Sequence, residues 1–272
     1  MARSSSPAAR KSLGQHFLRD TGILADIAGS LTAEPGELVL EIGPGTGMLT
    51  AELASRFERI VALELDERLA RHTRLRFREH GNVEVVEGDA RDIAIEPLVA
   101  GYPGYAVAGN LPYFAANPII RHFLERPPRP TNLVVMVQRE VAQEIAGKPG
   151  KASILTIAVQ VYATAELLFT VPPEAFEPPP KVVSAVVRIT PRKTPLVPNR
   201  RREAFFALVT GTFRHSRKQI HNALSRGAAL DPAQAAEALA LAEIDPTARP
   251  ERLEVPDWLR LLDAVETVRA RA

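Results

Sequence analysis

The sequence predicts an α/β protein with a mostly parallel sheet, followed by a small all-helical domain. Short apolar strands alternate with helical stretches through the first half of the chain, which is typical of a doubly wound sheet. A glycine-rich turn follows the first of these strands. After a proline-rich linker over residues 191–198, only helical patterns remain.

The predicted parallel strands each end where glycines or polar residues begin. The first strand, Leu38 to Ile42, leads into glycines 43, 45 and 47 and then a helix over residues 48–56. Right-handed crossovers put all strand-to-helix loops at one edge, so these loops should form one cleft. Further strands are predicted at 60–65, 83–87, 105–109 and 133–137, and helices at 21–30, 67–79, 117–125 and 139–146.

The remaining elements complete the sheet and build the second domain. Strands over 163–171 and 184–189, joined by a proline-rich loop containing Phe176, predict an antiparallel hairpin at the sheet edge. Helices are expected at 200–212, 214–226, from 231, and at 256–270. The predicted division is a flexible basic tail over 1–12, a first domain over 13–190 and a helical domain over 199–272.

Composition excludes several classes of site. The chain has no cysteine, and its six histidines show no metal-ligand spacing, so no metal is expected. No apolar run approaches the ~20 residues of a membrane helix, and the amino terminus has no apolar signal-peptide core. We therefore expect a cytoplasmic protein without a membrane partner, and nothing in the sequence indicates more than a monomer.

Positive charge is concentrated in one segment. Residues 191–226 hold nine Lys or Arg and a single acid, Glu203, so the rest of the chain is mildly acidic although the total net charge is only +2. Such asymmetry indicates a polyanionic partner such as nucleic acid, although a solvated helix face with a basic linker is an equal alternative.

The glycine turn and two acids suggest a nucleoside-like ligand. Glycine lets a ligand approach the main chain without meeting a Cβ atom. The spacing differs from the dinucleotide pattern, because the third glycine comes one residue early. Glu64 at the end of the second strand can accept hydrogen bonds from ribose hydroxyls, and Asp89 after the third can accept one from an adenine amino group. Each acid alone is better explained as a cap or a surface charge.

A tetrapeptide at the end of the fourth strand supplies the chemistry. In Asn110-Leu111-Pro112-Tyr113, the proline keeps Leu111 extended and turns the chain, which can aim the Asn110 oxygen and a neighbouring main-chain carbonyl into the cleft. Two acceptors suit an amine that donates two protons, and Tyr113 offers a face for base stacking. An ordinary turn with a core tyrosine is the alternative.

Together these motifs resemble the S-adenosylmethionine-dependent ribosomal RNA adenine dimethyltransferases of the KsgA type. The similarity keeps the family's order from about Lys11 to Leu224. Two departures lie on the expected substrate side: Lys151-Ala152 and Phe114-Ala115-Ala116, where small polar residues are frequent. The matching stretches are residues 14–18, 41–47, 110–113, 171–176, 178–187 and 213–224.

The resemblance implies a Rossmann-like class I methyltransferase that dimethylates N6 of two adjacent adenines in the 3′-terminal hairpin of small-subunit rRNA. Tyr113 and Phe176 would sandwich the flipped adenine beside Asn110. The implied cofactor-binding residues are His16, Leu18, Gly43, Gly45, Gly47, Glu64, Asp89 and Asn110. The implied catalytic residues are Asn110, Leu111, Pro112, Tyr113 and Phe176. The implied RNA contacts are Arg200, Arg201, Arg202, Arg214, Arg217 and Lys218.

Three other functions stay open at this point. The related large-subunit rRNA adenine methyltransferases that confer macrolide resistance share the cofactor motifs and the tetrapeptide. A non-catalytic ribosome-assembly factor could keep the fold, although the intact Asn110 and Tyr113 argue against it. A nicotinamide-dependent oxidoreductase is disfavoured by the glycine spacing.

Overall fold

The computed structural model describes residues 7, 9–10, 15–147 and 150–271. The predicted flexible tail over residues 1–12 lies outside this range except at positions 7, 9 and 10. The chain forms two compact units. The first comprises Met1–Gln143 and Thr164–Pro191, and the second Glu144–Ala163 and Arg192–Ala272.

The first unit is built on a seven-stranded sheet, which confirms the predicted fold class. The strands in chain order are β1 (Phe17–Leu18), β2 (Leu38–Ile42), β3 (Ile60–Glu64), β4 (Val83–Glu87), β5 (Tyr105–Asn110), β6 (Leu133–Gln138), β7 (Ala163–Val171), β8 (Phe176–Glu177) and β9 (Ser184–Pro191). The sheet has the order β4-β3-β2-β5-β6-β9-β7. Strands β2 to β6 pair in parallel, and β9 runs antiparallel to β6. The short strands β1 and β8 form a separate antiparallel pair.

The helices that accompany these strands are α1 (Thr21–Ser30), α2 (Met48–Ala54), α3 (Glu67–Arg76), α4 (Glu96–Val99), α5 (Ala116–Glu125) and α6 (Arg139–Ala146). Helices α2 to α5 connect the parallel strands β2 to β6. Asp66 caps α3, because its carboxylate accepts a hydrogen bond from the Arg68 amide. Helix α5, predicted from residue 117, begins one residue earlier and has no side-chain cap. The short helix α4 has no counterpart in the sequence prediction.

Burial of the central strands brings two parts of the cleft together. Every residue of β2 and β3 is buried, as expected for a parallel sheet covered on both faces. Ile42 at the end of β2 pairs with Gly109 on β5. A Cβ atom on Gly109 would lie only 2.6 Å from the Ile42 carbonyl oxygen. Glycine at this position therefore permits a close strand contact that carries Asn110 to the start of the glycine turn.

The second unit is helical and consists of α7 (Ile154–Tyr162), α8 (Arg202–Phe213), α9 (Ile220–Gly227), α10 (Pro232–Leu241) and α11 (Val255–Arg271), with residues 144–153 and the connecting loops. The sequence-based division assigned residues 144–163 to the first domain. They group with the helices instead, because Tyr162 at the end of α7 stacks on Phe206 of α8 and its carbonyl accepts a hydrogen bond from the Arg192 amide.

One predicted helix of this unit is shorter than expected. The sequence suggested a helix over 214–226, but residues 214–219 form a turn and α9 begins at Ile220. The turn is needed because α8 and α9 pack closely: a Cβ atom on Gly211 would approach the Gly227 carbonyl oxygen to 2.3 Å. Across the ranges that the structure describes, no helix has the length and apolar character needed to span a membrane.

Candidate functional site

A cleft in the first unit lies at the carboxyl ends of β2, β3 and β5. Its empty volume is about 980 Å³, which includes space open to solvent. Residues 15–18 before α1 form one wall. The lining residues are Gln15–Leu18, Leu24, Ile27, Glu41, Gly43–Thr46, Met48, Leu49, Glu64–Asp66, Leu69 and Asn110–Phe114.

Two of the three glycines predicted to bind the cofactor line this cleft. Gly43, Gly45 and Gly47 all have positive φ, at 70°, 58° and 78°. Only glycine adopts this conformation readily, so the repeated glycines are required by the turn itself. Gly47 is absent from the lining. A Cβ atom there would be 2.7 Å from the ring of Phe77, so Gly47 instead allows α3 to pack beneath the turn.

Helix α3 holds the glycine turn from below. The Thr73 hydroxyl donates a 2.9 Å hydrogen bond to the Gly45 carbonyl oxygen. The Arg76 guanidinium donates a 2.5 Å hydrogen bond to the Thr46 carbonyl oxygen. Both contacts are made to main-chain carbonyls, so helix α3 fixes the backbone of the turn.

Glu64 lies in the cleft, as predicted from its position at the end of β3. Its Oε2 accepts a 3.1 Å hydrogen bond from the Gly45 amide, and its Oε1 accepts a 2.9 Å hydrogen bond from the Asp66 amide. A carboxylate has about four acceptor positions, so two remain for a ligand. Burial raises the pKa of Glu64, and the two amide hydrogen bonds oppose that shift.

Glu41 is a cleft residue that the sequence analysis did not identify. It is 1% exposed, and among the described residues neither carboxylate oxygen has a hydrogen-bond partner. Burial raises the pKa of Glu41 to about 8, and the Glu64 carboxylate adds to this. The Thr50 hydroxyl opposes the shift without reaching hydrogen-bonding geometry. The available signal was an acid inside an otherwise apolar strand, a position where an unpaired carboxylate is costly.

Asn110 is held at the opposite side of the cleft by the segment before α1. Its side-chain Nδ2 donates a 3.0 Å hydrogen bond to the main-chain oxygen of His16. The Leu111 amide donates to the Met136 carbonyl at 3.0 Å, which anchors the chain as it leaves β5. Because a carbonyl can only accept, the Asn110 amide group has a defined orientation and its Oδ1 points away from this contact.

Tyr113 is fixed at two points. Its hydroxyl forms a 3.0 Å hydrogen bond with the Ser184 hydroxyl on β9. One side of its ring lies against the His16 imidazole, with ring centroids 6.0 Å apart and planes inclined by 24°. Burial raises the pKa of Tyr113, and the Ser184 hydrogen bond opposes this shift. The phenol therefore stays neutral at ordinary pH and serves as a positioned ring.

The segment with His16 and Leu18 is tied into the unit at several points. The His16 Nδ1 lies 2.8 Å from the Pro178 carbonyl oxygen, and Leu18 pairs with Phe176 in the small sheet. The Gln15 amide donates to the Asp66 carboxylate at 3.3 Å. Both predicted residues of this segment therefore border the cleft.

Besides Gly47, Asp89 and Phe176 also lie outside the cleft lining. Asp89 is held by Arg91, whose Nε lies 2.9 and 3.0 Å from the two carboxylate oxygens. This partner lowers the pKa of Asp89. Phe176 is only 5% exposed and belongs to the apolar core with Leu18. The structure thus brings together the glycine turn, Glu64 and residues 110–113, but neither the proposed adenine acceptor nor the second stacking ring.

The six predicted RNA-binding cations all lie in the second unit, in two different situations. Arg200, Arg214, Arg217 and Lys218 are exposed, the last three in the turn between α8 and α9. Arg201 forms ion pairs with Asp263 and Glu266 of α11, at 2.6 and 3.1 Å. The Arg202 guanidinium lies over the Tyr162 ring, 5.1 Å from its centroid. Arg201 and Arg202 therefore stabilise the helical unit.

The part of the chain that the structure describes contains no candidate metal centre. Within those residues, no group of three or more His, Asp or Glu side chains is placed to hold an ion. The acids of the cleft, Glu41 and Glu64, instead suit a ligand with cationic or hydroxyl groups.

Comparison with known proteins places this architecture in a family. The family model for ribosomal RNA adenine dimethylase matches residues 7–266. The ribosomal RNA small subunit methyltransferase A of Synechococcus sp. is 40% identical over 94% of this chain and 93% of its own length.

Two solved structures share the fold across both units. A dimethyladenosine transferase from Plasmodium falciparum has a TM-score of 0.76 and 25% identity, covering 93% of this chain and 98% of that one. The 23S rRNA methyltransferase ErmE has a TM-score of 0.72 and 31% identity, covering 92% of this chain and 99% of that one. From the extent of these matches and the geometry of the cleft, the chain belongs to the ribosomal RNA adenine dimethylase family.

Proposed function

We propose that this enzyme transfers methyl groups from S-adenosylmethionine to N6 of two adjacent adenines in the 3′-terminal hairpin of small-subunit rRNA. The observation that carries the proposal is the oriented amide of Asn110, which lines the same cleft as the glycine turn and Tyr113. The name of the Synechococcus relative, a small subunit methyltransferase, supports the choice of ribosomal subunit.

The cleft fits S-adenosylmethionine in charge and in shape. Gly43 and Gly45 line the cleft and carry no Cβ atom, so the ligand can approach the main chain of the turn closely. The buried carboxylate of Glu41, which lacks a partner within the described ranges, suits the cofactor's α-ammonium group. The free acceptor positions of Glu64 suit the ribose hydroxyls. When bound, the cofactor supplies a methyl group made electrophilic by its sulfonium sulfur.

Asp89 is kept in the proposal with one condition. Its Oδ1 accepts hydrogen bonds from the Arg91 main-chain amide and Nε, and its Oδ2 accepts them from Arg91 Nε and Nη2. Arg91 must therefore release one of these acceptor positions before an adenine amino group can bind there. His16 and Leu18 contribute the opposite wall. Gly47 acts on the cofactor indirectly, since it sets the packing of α3 against the turn.

The chain's own groups then prepare the target amine. The Asn110 Oδ1 and a neighbouring main-chain carbonyl of residues 110–112 each accept a hydrogen bond from the target amine. These two hydrogen bonds turn the nitrogen lone pair toward the methyl donor. Acceptors that are already oriented lower the reorganisation needed in the transition state. As the new C–N bond forms, the methyl–sulfur bond breaks, and the amine loses one proton to solvent. Pro112 keeps this geometry rigid by restricting Leu111.

Binding of the RNA is proposed to involve both units separately. Tyr113 stacks on the target adenine after it leaves the helix. Arg200, Arg214, Arg217 and Lys218 contact phosphates, whereas Arg201 and Arg202 contribute less because they already have partners within their unit. We expect the enzyme to act in the cytoplasm, because its ribosomal substrate is found there. We also expect it to act as a monomer.

The test is a methyl-transfer assay with labelled S-adenosylmethionine and purified ribosomal subunits that lack the modification. We expect label in small-subunit rRNA, recovered as dimethyladenine at two adjacent positions. Label in large-subunit rRNA alone would show that the enzyme instead methylates the large subunit, as the name of ErmE states for that protein. Absence of label in both, with retained subunit binding, would support an assembly factor instead.

A further inference from the structure

The rim of the cleft carries an exposed aromatic side chain that the assignments above leave unused. Phe114 follows Tyr113 directly, lines the cleft and is 58% exposed. Other large apolar residues of this unit, such as Leu65, Leu75 and Tyr102, are also exposed, so exposure alone indicates nothing. Leu65 lines the cleft as well, but Phe114 differs from all three because it combines an aromatic ring with a place on the cleft.

The turn that carries Phe114 is anchored on both sides. Before it, the Leu111 amide bonds to β6. After it, the Ala115 amide donates a 2.9 Å hydrogen bond to the Pro112 carbonyl oxygen, and Ala115 and Ala116 are buried. A turn fixed in this way presents the Phe114 ring outward in a defined place. Because the turn is already ordered, little further conformational entropy is lost when a ligand binds to it.

The position of this ring relative to Tyr113 indicates what it contacts. Tyr113 is pinned by Ser184, beside the amide of Asn110, where the target amine must arrive. Phe114 is too exposed to form a wall of that inner site, and it meets RNA that stays outside. The segment outside begins with the nucleotide next to the target, which loses its stacking partner when the target adenine flips.

We propose that Phe114 stacks on the adenine adjacent to the target and holds it at the rim while its neighbour reacts. This inference rests on the proposed function, because it requires an RNA with two adjacent adenines. An aromatic side chain that stacks on this base takes the place of the flipped neighbour.

The experiment measures steady-state methylation of unmodified small subunits by Phe114→Ala, Phe114→Leu and Phe114→Trp. We expect kcat/KM for the subunit to fall about tenfold in the alanine and leucine variants, equal to about 1.4 kcal/mol, with unchanged cofactor Kd. The tryptophan variant should keep wild-type efficiency. Tyr102→Ala, which removes an exposed aromatic outside the cleft lining, is the matched control and should have no effect.

A second measurement distinguishes stacking on the adjacent base from other contacts. Subunits in which the adjacent adenine is replaced by uridine should be poorer substrates for the wild-type enzyme, and Phe114→Ala should add little further loss. The inference would be overturned if the losses in activity from Phe114→Ala and from the uridine replacement multiplied independently. It would also be overturned if Phe114→Ala were as active as the wild type. Either result would leave the proposed function intact. A wild-type enzyme that methylates neither subunit would overturn both.

Discussion

Asn110 and His16 are joined by a 3.0 Å hydrogen bond from the Asn110 side-chain amide to the His16 main-chain oxygen. This contact connects residues that are far apart in sequence, the segment before α1 and the end of β5. Its consequence is that the amide cannot rotate without breaking a partly buried hydrogen bond, so the Oδ1 atom keeps its direction. A side chain proposed to orient the substrate is thus itself oriented.

Replacement of Asn110 by alanine should therefore abolish transfer with little effect on the cofactor. Loss of a positioned acceptor of this kind costs about 100- to 1,000-fold in kcat, because the interaction is made mainly in the transition state. We expect cofactor Kd, measured by calorimetry, to change by no more than a few fold. Turnover by Asn110→Ala at the wild-type rate would exclude the role given to this amide.

The buried carboxylate of Glu41 should make stability depend on pH. Its pKa is about 8 in the folded protein and near 4.5 when exposed, so the folded state holds a proton that the unfolded state releases over that interval. The stabilising contribution is complete below pH 4.5 and is lost as the pH rises through 8, at up to about 1.4 kcal/mol per pH unit.

Urea unfolding of the cofactor-free protein between pH 5 and 8.5 would measure this effect. Glu41→Gln has no proton to lose, so its free energy of unfolding should fall less steeply with pH than that of the wild type. Identical slopes in the two proteins would show that the carboxyl is ionised throughout. The same variant should bind S-adenosylmethionine more weakly, because an amide cannot form an ion pair with the ammonium group.

The sequence predicted the sheet and most of the cleft because both follow from local patterns. Buried strands such as β2 and β3 begin at the predicted residues, and the carboxyl ends of parallel strands necessarily meet at one edge. Glu64 and Asn110 could therefore be placed in one site from the sequence alone.

Features that depend on long-range pairing could not be predicted in the same way. The pairing of Leu18 with Phe176 joins distant segments through strands of only two residues, which carry no periodic signal. This pairing buries the Phe176 side chain in the apolar core, so its ring is not exposed for the predicted sandwich. Likewise, the grouping of α7 with the second unit depends on the stacking of Tyr162 on Phe206.

Phe176 can be tested with a variant that separates stacking from core packing. Phe176→Ala should lower the free energy of unfolding by about 3–5 kcal/mol, because it leaves a cavity beside Leu18. Phe176→Leu keeps most of the apolar volume but has no aromatic face. If Phe176 turns outward to stack on the target adenine, the leucine variant should stay close to wild type in Tm and cofactor Kd yet lose activity. Full activity would confine Phe176 to the core.

Gly109 should not tolerate even a methyl group. A Cβ atom there would meet the Ile42 carbonyl oxygen at 2.6 Å, and backbone in the middle of a sheet cannot move aside cheaply. We expect Gly109→Ala to cost about 1–3 kcal/mol and to reduce kcat, because it displaces the adjacent Asn110. Gly81→Ala is the control, since a Cβ atom at Gly81 meets nothing within 4 Å. Equal Tm values for the two variants would contradict the close-contact explanation.

The exposed cations of the second unit should account for the salt dependence of RNA binding. Alanine at Arg214, Arg217 or Lys218 should weaken binding to small-subunit rRNA and reduce the slope of log K against log salt by about one unit each. Arg201→Ala is the matched control, because its guanidinium is paired with Asp263 and Glu266. It should lower the Tm while leaving the slope nearly unchanged. Filter-binding titrations between 50 and about 300 mM salt measure both quantities. If Arg201→Ala reduced the slope as much as Arg217→Ala, the ion-paired and the unpaired cations would contribute equally to RNA binding.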